Sequence, residues 1–203
     1  MSAESISLTG KILGAIFFYP PDSPEVQPLI SLLQDSDWAP LWPCASQDAK
    51  VQVTEYFSQI NQAQESLGDA YQRLFVGPYA LPAPPWGSVY LDKESVVFGD
   101  STLALRQWMR ENGIEPHLTQ AEPEDHIGLL LMMSAWLAEN SPALLNEFLT
   151  MHLLPWAGHY LELLRQNAEH PFYVGVAILA ESTLCGWKQQ QGLEVNAVDL
   201  YFR

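Results

Sequence analysis

The chain has 203 residues, 48% of them hydrophobic, enough for one substantial core. Nine Lys and Arg against 24 Asp and Glu give a formal net charge of −15. Nucleic acid and anionic membrane both demand clustered cations, so the balance argues against either and favours a cationic partner. Two cysteines, Cys44 and Cys185, lie far apart and outside any CxxC pair, which fits a reduced, cytoplasmic protein rather than a disulfide scaffold.

Helical spacing dominates from the start. Ser5 to Phe18 reads as a first helix, halted by Pro20 and Pro21. Its apolar stretch "ILGAIFFY" follows Glu4, has Lys11 as its sole nearby cation and lacks a small-residue cleavage site, so no signal peptide is expected. Asp22-Ser23-Pro24 suits a cap opening a helix through "EVQPLISLLQ", with Pro28 against it. From Tyr56 the apolar positions Ile60, Ala63, Leu67, Ala70/Tyr71 and Leu74 keep steps of three and four. Further helices are expected over Ser101 to Asn112, closed by Gly113, from Ser141-Pro142, from Pro155, and over Pro171 to Gln191, closed by Gly192. "SVYLD" and "ESVVFG" carry isolated β character, and no run reaches the ~18 apolar residues of a membrane span. The expected fold is all-α, a single-chain bundle of roughly eight to ten helices. An N-terminal helical part runs to about residue 75 and a C-terminal one from about residue 101.

Between them, "VGPYALPAPPWGSVYLDKESVVFGD" (76–100) is rich in Pro and Gly. Its aromatic and aliphatic content is too high for disorder, so an ordered loop draped over the bundle is expected. Prolines stiffen such a backbone in advance, and aromatic anchors near acids suit a peptide bearing both cations and apolar side chains. The same rings also suit a plain cap on the core.

The stretch "AEPEDHIGLLLMMSAWLAEN" (121–140) opens with Glu122, Glu124, Asp125 and His126 before a helix apolar nearly all round. A metal centre needs ligands that converge. Here the acids crowd one helix start, and His117, His152, His159 and His170 complete no known spacing. An enzyme finds no phosphate loop, no GxGxxG after a strand and no GxSxG elbow. On a helix Asp125 and His126 would diverge by about 100° and form no dyad. Pro123 at a first helical position with acids beside it is also what any helix N-terminus prefers. His126, however, continues the stripe Leu129, Leu130, Met133 and Leu137, which puts a carboxylate and an imidazole at the mouth of a buried helix as a polar recognition point.

Three blocks, "YQRLFVGPYALPAPPWGSVYLD", "VVFGDSTLALRQWMRENGI" and "EPEDHIGLLLMMSAWLAEN", resemble the signature blocks of the TorD/NarJ/DmsD redox-enzyme maturation chaperones, most of all the branch serving dimethyl sulfoxide reductase. The likeness covers essentially the whole chain. It implies an all-helical cytoplasmic chaperone without catalysis, metal or cofactor. Such a chaperone binds the twin-arginine signal peptide of a molybdopterin reductase catalytic subunit and holds it from the Tat translocon until its cofactor is inserted. Carried over by position, the peptide site comprises Tyr71, Leu74, Phe75, Tyr79, Pro85, Trp86 and Gly99 with Asp125 and His126, Glu122 and Glu124 assisting. Tyr71 and Tyr79 stand where close relatives are expected to carry tryptophan. Asp125, helped by Glu122 or Glu124, would receive an arginine through charge-assisted hydrogen bonds while Leu74, Phe75, Tyr79 and Trp86 take the apolar part. The alternatives are a metal-dependent or acid–base enzyme on Glu122 to His126, and a helical adaptor for a folded protein.

Overall fold

A computed structural model of the chain describes residues 3–35, 37–115 and 121–203. The described residues are all-α and hold no strand, as the spacing predicts. His117 lies outside them.

The centre is a pair of helices in backbone contact, α1 (Ala3–Phe18) and α8 (Ile127–Asn140). Glycines make the approach possible. A Cβ on Gly10 would stand 2.7 Å from the Leu131 carbonyl oxygen, and one on Gly128 would stand 2.8 Å from that of Gly14. Around this pair run α4 (Gln47–Ser58), α10 (Leu154–Asn167) and α11 (Pro171–Gln191), with α11 packed on both of the others. Helix α11 starts with Pro171 in its first turn, capped by the His170 ring accepting from Phe172 N–H at 3.2 Å, and stops at Gly192 with φ 62°. Trp187 donates its indole N–H to Thr9 of α1, and Trp42 donates to Thr183, so the buried indoles are satisfied as they tie helices together.

Two local expectations change, and two elements are added. The chain Asp22-Ser23-Pro24 forms a turn, and α2 (Gln27–Gln34) begins only after it, with Pro28 in the first turn where no N–H is missed. The Tyr56–Leu74 stripe is not one helix. Helix α4 ends at Ser58, a short tight turn covers Ile60–Gln62, and Ser66 caps a new helix α5 (Leu67–Tyr71) by accepting from Asp69 N–H. A wide turn, Gln72–Val76, follows and ends at Gly77 with φ 106°. A short helix α3 (Trp38–Leu41) precedes α4.

The 76–100 segment is ordered, with largely exposed flanks as expected, but its middle, 83–90, is inserted into the bundle rather than draped over it. Ala83, Pro85, Gly87, Ser88, Val89 and Tyr90 are all buried, and "SVYL" is helical, within α6 (Gly87–Leu91). Gly87 fits because a Cβ there would meet the Trp156 indole at 2.9 Å. Helix α7 (Asp100–Glu111) follows, with Asp92 accepting from Ser101 N–H and O–H at its start. Helix α9 (Pro142–Phe148) runs through a wide turn, Leu149–Leu153, into α10, where Pro155 has no N–H to continue a regular ladder. No helix among the described residues is long and apolar enough to cross a membrane.

Candidate functional site

Helix α8 begins at Ile127, so Pro123 is not its first residue and Glu122, Glu124 and Asp125 lie before it rather than in its first turn. The cap is His126. Its Nδ1 accepts from Gly128 N–H at 3.1 Å, and its ring stands edge-on to Phe18 (5.4 Å) and Trp86 (6.1 Å). Burial pushes the imidazole down to about 3, so it is neutral and brings no charge.

The chain before α8 runs antiparallel to the chain before α6. Ile127 N–H donates to the Pro85 carbonyl at 2.8 Å, Gly87 N–H to that of Asp125 at 3.1 Å, and Trp86 and His126 form a single bridge pair. This clamp fixes both segments against each other. Asp125, 4% exposed, sends its carboxylate under α6, where Ser88 N–H donates to it at 2.6 Å. Burial raises its pKa, opposed by that N–H and by the nearby Ser88 and Thr102 hydroxyls. Asp125 thus caps α6 from 37 residues away. Asp125 and His126 engage different partners and make no acid–base dyad.

The three acids part company. Glu124 accepts from Arg106 Nε at 2.7 Å. Glu122 has a different partner: it is partly exposed and accepts from the Trp86 indole N–H. Its pKa is raised, first by burial and then by the charge of Asp125, with the indole bond opposing. Tyr71 is the neighbouring ring: its hydroxyl donates to the Phe18 carbonyl at 2.9 Å, and burial with the Glu122 charge pushes it up to about 12. Tyr71 also forms one wall of a groove of about 650 Å³ that runs past Leu67 and Val76 to Pro21 and Asp22. The groove therefore mixes the apolar Leu67, Val76 and Tyr71 with Gln27, Gln72 and the Asp22 carboxylate, and Glu122 lies outside its lining, acting on Tyr71 through its charge.

Not every residue expected at the site faces it. Leu74 is fully buried, and Phe75 packs among Phe17, Tyr71 and Tyr173 with centroid distances of 6.3, 5.2 and 5.2 Å. Pro85 is buried in the clamp, and Gly99 is required because a Cβ there would overlap Asp92, at 2.0 Å from Oδ2. These four shape the backbone that carries Tyr71, Trp86 and α7. Tyr79 is 86% exposed. Residues that the sequence reading did not assign to the site are Phe18, Asp22, Leu67, Val76 and Arg106. Leu67 was visible as a stripe position, whereas nothing local marks Arg106 as the partner of Glu124, 18 residues away. Among the described residues no group of three or more His, Cys, Asp or Glu converges as a metal would need.

The nitrate reductase delta subunit family matches residues 41–162. The Tat proofreading chaperone DmsD of Salmonella typhimurium is 47% identical over 202 residues, covering 99% of this chain and 98% of its own. The chaperone protein YcdY of Escherichia coli is 26% identical over 185 residues, 89% of this chain and 92% of its own. A crystal structure described as that of a redox enzyme maturation protein from Archaeoglobus fulgidus superposes with a TM-score of 0.55 at 20% identity, covering 86% of this chain and 91% of that one. That last likeness bears on the fold alone.

Proposed function

Since the chain belongs to the nitrate reductase delta subunit family, a family of redox-enzyme maturation chaperones and not of enzymes, we propose that it binds the twin-arginine signal peptide of a molybdopterin reductase catalytic subunit in the cytoplasm. The precursor we assign is that of dimethyl sulfoxide reductase, on the strength of the sequence blocks and the named Salmonella relative. Binding delays Tat export until the cofactor is inserted. The whole chain acts as one chaperone domain.

The observation that carries this reading is the Glu122–Trp86 pair, whose carboxylate acts on Tyr71, the ring that lines the neighbouring groove. A half-buried carboxylate whose pKa is raised by desolvation gains most from a cation that arrives with its own donors, and a guanidinium is such a cation. Trp86 and Tyr71 offer ring faces to the same group. The moderately apolar stretch after the arginines then lies along Leu67 and Val76, with Tyr79 free to fold onto it. Asp125, His126, Pro85 and Gly99 are positioning residues that hold this surface, and Leu74 and Phe75 support Tyr71 from beneath. Net charge adds long-range steering of the cationic leader.

Calorimetric titration with a twin-arginine leader peptide and its double-lysine version, each at two salt concentrations, tests the proposal. Arginine-selective binding that weakens with salt is expected. Equal affinity for both leaders, or none for either, contradicts it.

A further inference from the structure

Arg106 lies in the middle of α7, and its Nε donates to Glu124 Oε2 at 2.7 Å. Its guanidinium carbon stands 5.2 Å from the centroid of the Phe98 ring. Glu124 is well shielded, its side chain 16% exposed, while Arg106 is 35% exposed. Phe98 itself is half exposed and sits at φ 64°, a region an aromatic residue rarely adopts. A shielded carboxylate and an aromatic face therefore already hold a guanidinium, and they do so next to the site described above. The occupant uses only one of its N–H groups on the carboxylate, whereas an arginine approaching end-on can offer two in parallel.

We propose that Glu124 and Phe98 form a second guanidinium seat, which Arg106 fills in the free protein and one arginine of the leader pair takes over. The inference rests on the twin-arginine reading. Glu122 and Glu124 flank Pro123, two residues apart, so a pair of adjacent arginines meets one open carboxylate and one that is closed by an internal guanidinium. Exchanging one guanidinium for another keeps Glu124 paired throughout, and Arg106, already a third exposed, moves into water at little cost. Lysine gains less from the seat, because an ammonium has neither the planar fork nor the stacking face. Arg106 is thereby a built-in competitor that lowers the affinity for the leader, and most for a leader whose arginine uses the seat.

Titration of Arg106→Gln with both leaders, beside the parent chain, tests this. The variant is expected to bind the twin-arginine leader about 2- to 5-fold more tightly, the worth of a partly exposed ion pair. The gain should be smaller for the double-lysine leader and should vanish when Glu124→Gln is added. Equal gains for both leaders report only the lost positive charge and overturn the inference, as does an unchanged or weaker affinity. A measurement on the parent chain covers the case of a variant that folds poorly: with arginine side chains labelled with nitrogen-15, the Arg106 Nε–H resonance should move to its solvent-exposed position as the twin-arginine leader saturates. Retained binding with an unmoved resonance overturns this inference alone. A parent chain that takes up neither leader sinks it together with the receptor reading.

Discussion

Two seams hold α8 in place, and they are built from opposite materials. Against α1 it presents Gly128 to Gly14, backbone on backbone, and the charge on this seam, the Lys11–Glu139 pair, lies at its exposed other end. Before its first residue, the 121–126 segment meets the 83–88 segment through a buried carboxylate, an indole–carboxylate bond and a neutral imidazole. The first arrangement maximises close packing. The second leaves raised carboxylate pKa values in the free protein, a choice that lowers stability and makes sense where a cation is to be received. Stability resides in one seam, and the proposed recognition site lies at the edge of the other.

The contrast can be broken most forcefully at the glycine seam. In Gly128→Val the new side chain meets the Gly14 carbonyl at 2.8 Å and Phe18 Cβ at 2.9 Å, neither of which can move freely. Urea unfolding should show a loss of about 3 kcal/mol, and a loss near zero would mean that α1 and α8 are not in backbone contact. At the polar seam, Asp125→Ala leaves Ser88 N–H buried without its acceptor and should cost about 2 kcal/mol. Asp125→Asn keeps an acceptor and should cost clearly less, so equal losses in the two variants would contradict the capping role.

The imidazole gives a pH signature. In the fold His126 stays neutral down to about 3, while the unfolded chain takes up a proton below the ordinary 6.5. The unfolded state binds more protons in that window, so acidification removes stability, by at most about 1.4 kcal/mol per pH unit from this group. Glu122 and Asp125 act in the opposite sense: with folded values raised, they favour the fold as pH falls from those values toward the ordinary carboxylate range. His126→Asn retains a capping side chain but no titration. Its unfolding free energy should therefore fall less steeply than the parent's between about pH 6.5 and about pH 4, and parallel curves would rule the effect out. The smallest change is Tyr79→Ala. At 86% exposure it should alter stability by under about 0.5 kcal/mol while weakening leader binding modestly, and a large drop in melting temperature would place Tyr79 in the core instead.

The same contrast explains what the sequence reveals. Helices α1, α7, α9 and α11 are marked by their own caps, glycines and prolines, and their limits follow from local chemistry. The start of α8 is misplaced by four residues because Glu122-Pro123-Glu124 imitates a helix N-terminus while the actual cap is a histidine. Helix α6 reads as β character because its stabilising carboxylate, Asp125, comes from a distant part of the chain. The acids of the site are legible as a group. Their division into a capping carboxylate, an Arg106 partner and a Trp86 partner depends on contacts 18 to 37 residues apart, which no local pattern encodes.

The most direct measurement is the affinity of Glu122→Gln for the twin-arginine leader, with circular dichroism to confirm an unchanged fold. Losing a desolvated charge partner should weaken binding by about 2–5 kcal/mol, while the smaller affinity for the double-lysine leader changes far less. A Glu122→Gln protein that binds the twin-arginine leader as the parent does would contradict the assignment of Glu122 as the arginine receptor.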